Sequence, residues 1–230
     1  MKLSPLSCLL FALVLGSCSQ SSNTSLNGNT QSAVPWVIPN SGTAFVYELT
    51  GINPKVHPVD TIFILTTGQH LGGKTGVIGC EDKAGTAGTF FYNIEENGDI
   101  SDGDSTTNSH GVTTFTWTTF PTGSLKPIAD PVIDTVESGI HIFRSNLRTF
   151  VDTEQLTTLA GTFSTLHVRE VSISINHSND SLNFNASDTT VMDKWYAPSI
   201  GLYAKVVSSG TSNGQPFDQS ETDLIKYLPK

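Results

Sequence analysis

The stretch Asn97-Gly98-Asp99-Ile100-Ser101-Asp102-Gly103-Asp104 is the most ligand-like part of the chain. Its hard oxygens suit Ca²⁺, but an EF-hand loop begun at Asp99 needs Gly at its sixth position and Glu at its twelfth, and neither is there. The stretch therefore reads as a solvated loop whose Asp and Asn side chains support tight turns. Glu95 with Glu96, or Asp102 with Asp104, has the residue types of an acid/base pair. Adjacent carboxylates on a polar loop are ordinarily just hydrated. Cys80 has the chemistry of a nucleophile, yet it sits in the apolar run Val77-Ile78-Gly79-Cys80 with no activating base beside it. It reads as a small buried hydrophobe. None of the six histidines stands at metal-binding spacing from another. No metal site and no cofactor follow from the sequence. There is no phosphate-binding loop and no Gly-x-Ser-x-Gly elbow, so no catalytic residue is assigned and the chain reads as non-enzymatic.

The bulk properties narrow the partners. The chain has 230 residues, with 12 Lys plus Arg against 21 Asp plus Glu and a net charge of −9. With no basic block, nucleic acid is excluded as a partner. Three cysteines are too few for a disulfide scaffold. The length suits one domain of about 200 residues.

Lys2 and the apolar run from Leu9 to Leu15 form a secretory signal too short for a permanent membrane helix. The run ends in Leu15-Gly16-Ser17-Cys18, which resembles the bacterial lipobox. That resemblance implies a signal peptide over 1–17, cleavage before Cys18, and acylation of Cys18 by palmitate-type chains. Two or three chains anchor a protein stably in a bilayer, where one binds only marginally. Ser19, in place of the Asp that marks inner-membrane retention, points to the outer membrane and leaves the periplasmic or surface face open. Residues 18–35 are rich in Ser, Asn, Thr and Gln and bury almost nothing, so they are expected to be a flexible tether.

Beyond the tether the periodicity is that of strands. Phe45, Tyr47 and Leu49 alternate on one face, and Phe115 and Trp117 do so within the Thr-rich run Val112 to Phe120. Gly72-Gly73 and Asn97-Gly98 mark turns, the latter a strong hairpin signal. A shift of apolar phase between Val168 and Val171 implies a bulge. The best helical window, Asp152 to Leu159, is weak. The expected fold is all-β and mainly antiparallel, a curved sheet, half-barrel or sandwich with few or no helices. One β-rich domain over 36–230 is the simplest division, with Ser105 to Gly111 as its likeliest internal break.

Leu159-Ala160-Gly161-Thr162-Phe163 is followed by Lys194-Trp195-Tyr196-Ala197-Pro198-Ser199-Ile200-Gly201-Leu202-Tyr203. This pairing resembles a pattern in uncharacterised DUF3108-like and TapB2-like envelope proteins and lipoproteins. The resemblance implies a curved antiparallel sheet in the periplasmic space and no particular activity. Physically, Gly161 permits a tight turn, Pro198 breaks a strand, and Gly201 allows close packing.

The resulting expectation is a membrane-anchored envelope lipoprotein whose body binds an apolar or glycan ligand or another envelope protein. Phe115, Trp117, Trp195, Tyr196 and Tyr203 are the candidate ligand-binding residues. A structural or assembly factor is the alternative and predicts a filled core with an exposed apolar patch. A hydrolase is third and predicts a cleft holding paired carboxylates, or Cys80 beside a histidine.

Overall fold

In the computed structural model the described residues are 35–51, 58–83, 89–107, 109, 112–178 and 185–230, the side chain at 218 aside. The signal, Cys18 and the tether up to residue 34 lie outside them, as do His57 and His110. Thirteen strands form one antiparallel sheet, and no helix occurs among the described residues. The first six are β1 (Ala44–Thr50), β2 (Val59–Leu71), β3 (Lys74–Asp82), β4 (Thr89–Ile94), β5 (Ile100–Thr107) and β6 (Thr113–Phe120). Then come the short edge strands β7 (Ile128–Ala129) and β8 (Ile133–Glu137). The last five are β9 (Ile140–Thr158), β10 (Gly161–Ser178), β11 (Asn185–Ala197), β12 (Leu202–Ser212) and β13 (Gln215–Leu228).

Two meanders are joined by the pairing of β1 with β13. The order runs from β6 through β1 to β13 and on to β9, with β7 and β8 both along the far edge of β9. Turn chemistry sets the hairpins. Gly72 and Gly73 both have positive φ, as do Ser138-Gly139 and Asn213-Gly214, which is the type I′ requirement that matches strand twist. Of the expected break at 105–111, Ser105 to Thr107 belong to β5 and pair with β6, and the rest, Ser109 aside, lies outside the described residues. Asp152 to Thr158 is the second half of β9. Its polar side chains lack clean alternation, and pairing with β10 overrides the weak helical spacing. The bulge expected between Val168 and Val171 is absent: β10 pairs there without a break on both sides, and the register shift at His167/Val168 comes from an extra residue, Val151, in β9.

The sheet curls until strands far apart in its order meet. One core cluster joins Phe45, Tyr47, Ile62, Ile78 and Tyr92 of β1–β4 to Ala204 and Leu224 of β12 and β13. A second joins Ile100 and Phe120 of β5 and β6 to Leu166, Val168 and Tyr196 of β10 and β11. The ion pair between Asp102 on β5 and Lys194 on β11, 2.7 Å long, spans the same interior. The result is a nearly closed barrel, all-β as the sequence implies. Side chains alternate between an inner and an outer face along each strand, except where bulges reset the phase.

Candidate functional site

The inner face is packed at one end and open at the other. Asp60 opposite Tyr47, Asp82 opposite Ile62, and Lys194 between Val168 and Val206 all fall on inner positions. Together with β5 they surround a cavity of about 480 Å³. Ile62, Phe90, Leu202, Tyr203 and Val206 supply its apolar wall. Asp60, Asp82, Asp102 and Asp104 supply its carboxylates, with Lys194 the one cation among its lining residues. An apolar wall with a few convergent polar groups, at this size, is the form that small-molecule sites take. Lys194 both pairs with Asp102 and lies 4.1 Å from the centre of the Phe120 ring, so it is fixed between the two halves of the sheet.

A larger cleft, about 610 Å³, lies beside the β4–β5 turn. Its polar groups are already engaged. Glu95 takes Lys74 and the Ser101 hydroxyl, Asn93 donates to the Thr75 carbonyl, and Asp99 accepts the amides of Gly123 and Ser124. The Asp- and Asn-rich stretch thus splits in two. Asp99 ties a turn to the neighbouring loop, while Asp102 and Asp104 reach the cavity.

The five aromatic candidates are dispersed. Tyr203 lines the cavity, its ring 5.0 Å from that of Tyr47. Tyr196 is buried in the second core cluster, 5.9 Å from Phe120, and its hydroxyl has no hydrogen-bond partner among the described residues. Phe115 and Trp117 stand opposite Ser105 and Gly103, on the face that also carries Phe91. Trp117 lies over Gly103 and donates from its indole Nε1 to the Gly72 carbonyl at 3.0 Å. Trp195 is on the outer face, stacked on His167 at 4.3 Å. The cavity aspartates come from β2, β3 and β5, and no spacing in the sequence unites them. The legible signal was an Asp at an inner-facing position on each strand.

Cys80 is fully buried against Ile64 and Phe90, and burial pushes its thiol well above the ordinary range. A thiol there stays protonated and unreactive. Maleimide is expected to modify Cys80 only after denaturant is added, as read by peptide mass spectrometry. Rapid labelling of the native chain contradicts this.

A third recess, about 410 Å³, holds Lys205, Glu221 and Asp223. Burial, then the Glu221 carboxylate, pushes Asp223 up to about 6, while hydrogen bonding with Asp223 and Lys205 holds Glu221 below its ordinary value. A carboxyl whose pKa is raised by folding binds its proton more readily in the folded state. Its penalty is absent below the unfolded value of 3.8 and grows as pH rises to about 6. Asp223→Asn removes that penalty. The variant is expected to gain about 0.5–1 kcal/mol at neutral pH, solvent screening limiting the size, and nothing at acid pH. Denaturant titrations at both pH values check this, and an equal gain at both would identify a packing effect instead.

No family model matches the chain, the DUF3108-like and TapB2-like groups included, and no curated protein matches it. Among solved structures, a Bacteroides fragilis protein described as exported and of YmcC-like fold is similar at 16% identity. The match covers 84% of this chain and 99% of that one, with a TM-score of 0.44.

Proposed function

We propose that the chain is a bacterial envelope lipoprotein whose single β-rich domain, residues 36–230, is a non-enzymatic binding module. The cavity within the curled sheet is the observation that carries this reading. Its wall suits a ligand with an apolar body, and its four aspartates against one lysine suit a head rich in hydrogen-bond donors, an amine or sugar hydroxyls. An anionic head such as a free fatty acid would add a like charge beside these carboxylates. Tyr203, with Phe90 beside it in the wall, offers a ring on which such a ligand would stack. The lipobox Leu15-Gly16-Ser17-Cys18 supports anchoring through acylated Cys18, and Ser19 supports the outer membrane.

The test is native mass spectrometry of the full chain, extracted from its own envelope in mild detergent. The expected result is an added mass that disappears on denaturation and is absent from a folded Val206→Trp variant, whose indole fills the cavity. A bare wild-type mass overturns the binding reading. Cys18→Ser is expected to release the protein from membranes, and a variant that still sediments with them overturns the anchor.

A second reading, an assembly factor, has one observation in its favour. Val132, Ile133 and Val136 are exposed along the edge strand β8 and the residue just before it, where an added strand from a partner could pair. Asp134 and Glu137 on the same short strand act against such pairing, so the cavity reading is preferred.

A further inference from the structure

On the outer face, opposite the cavity, β9, β10 and β11 bring together Asp152, Glu154, His167, Asp193 and Trp195. We propose that His167 Nδ1, with one carboxylate oxygen each from Asp152 and Glu154, forms a binding site for a first-row divalent cation of the zinc class.

The ligand geometry comes from strand register. Asp152 and Glu154 are two residues apart on β9 and share a face, and Asp152 pairs directly with His167 on β10. One donor atom from each of the three residues lies within 4.8 Å of the other two. Nδ1 stands 3.5 Å from Asp152 Oδ1 and 3.7 Å from Glu154 Oε1. Tetrahedral zinc with bonds of about 2.0–2.2 Å holds its ligand atoms about 3.4 Å apart, so Nδ1 already stands at the right spacing from both oxygens and only the two carboxylate oxygens, within 4.8 Å of each other, have to close. Both carboxylates are well exposed; Asp152 supplies the movement, while Glu154 Oε1 is held near Nδ1 by the Trp195 indole N–H.

The histidine is prepared for the role. It is 8% exposed, and its ring is clamped flat against Trp195. Its Nε2 lies 2.8 Å from Asp193 Oδ1. Asp193 only accepts, because Arg169 already donates to both of its oxygens at 2.8 and 3.1 Å. Nε2 therefore carries the proton, and the Nδ1 lone pair points at two carboxylates. A metal-ligating histidine typically gives its other N–H to a carboxylate in this way. Trp195 also donates from Nε1 to Glu154, which keeps that carboxylate beside the ring. Three acceptors facing one another suit a positive centre between them, and Arg169 is engaged by Asp193. One nitrogen with two oxygens suits zinc-class ions better than Ca²⁺, and the exposed side leaves a position for water.

The experiment uses the full chain in detergent, stripped with chelator and titrated with Zn²⁺ by calorimetry. Co²⁺ absorption then reports coordination. One Zn²⁺ per chain is expected, with a rise in Tm. Asp152→Asn combined with Glu154→Gln alters exposed groups and is expected to weaken binding about 100-fold, and Asp193→Asn about tenfold through the tautomer. Glu137→Gln, at the far edge of the sheet, is expected to change nothing. If the double variant does not fold, His167→Gln replaces it. A wild-type chain that takes up no Zn²⁺, its Nδ1 holding a proton only, overturns the proposal. So does a folded ligand variant that binds as tightly as wild type.

Discussion

Phe120→Ala is expected to lower the free energy of unfolding by about 3–5 kcal/mol, the range for truncating a buried aromatic ring. Phe120 is 2% exposed at the end of β6, one terminus of the sheet path. The sheet nearly closes there without a continuous ladder, so side chains must hold the seam. The ring packs on Tyr196 and carries Lys194 on one contact and Arg148 on another, the guanidinium carbon 5.8 Å from its centre. Arg148 belongs to β9, is 2% exposed, and pairs with Asp130 and with Glu170. The Arg148 hydrogen bond holds the Asp130 carboxyl below the usual carboxylate range. One buried and one partly buried cation therefore lean on one ring, and deleting it leaves both without that partner as well as opening a cavity. Phe120→Leu separates the contributions, since it keeps most of the volume and loses the ring. It is expected to cost about 1–2 kcal/mol, mainly the cation–π share. Denaturant unfolding of both variants checks this. A Phe120→Ala loss below about 1 kcal/mol would mean that the seam is held by other contacts.

The sequence shows strands better than it shows their arrangement. Gly72-Gly73 and Asn97-Gly98 are legible because only a few residue types tolerate positive φ. The bulge is not legible where it occurs: the apolar phase of β10 shifts after Val168, but the inserted residue is Val151 of the neighbouring strand β9. The full length of β9 is not legible either, because Asp152, Glu154 and Gln155 lie where the strand's outer side is polar and alternation fades. The pairing of β1 with β13 joins segments more than 170 residues apart, and no local signal encodes it. The same holds for the sites. Tyr203 was visible as an aromatic near a kink. Asp60, Asp82 and Asp102 become one wall only after three hairpins set their register. Trp195 looks like a core residue in sequence, but a register shift lies between it and Tyr196. That shift is an extra residue, Ala204, in β12; Trp195 faces outward onto His167 by plain alternation between Lys194 and Tyr196, and the carboxylate partners of His167 come from the strands on either side.

Gly201→Ala carries the other large effect, expected to be at least about 2 kcal/mol. Two costs combine. Gly201 has φ +77°, where a side chain strains the backbone. A Cβ built there also falls inside contact distance of the Val37 carbonyl oxygen and reaches Pro39 Cδ at 2.7 Å. Residues 36–40 form a strap across the β11–β12 turn. Val37 N donates to the Pro198 carbonyl at 2.9 Å, Trp36 meets Tyr196 edge-on at 6.4 Å, and the Asn40 side chain donates to the Lys230 carbonyl. Gly214→Ala is the control, because Gly214 has nearly the same φ, +76°, with nothing within 4 Å of its Cβ position. It is expected to cost only the backbone strain, about 1–2 kcal/mol. The excess in Gly201→Ala is then the clash with the strap, and it has a local signature. Trp36 fluorescence should shift red and proteolysis should begin within 35–40 while the core stays folded. Equal losses in the two variants, with no new cleavage at the strap, would show that the strap moves aside freely and that Gly201 is required for its backbone conformation alone.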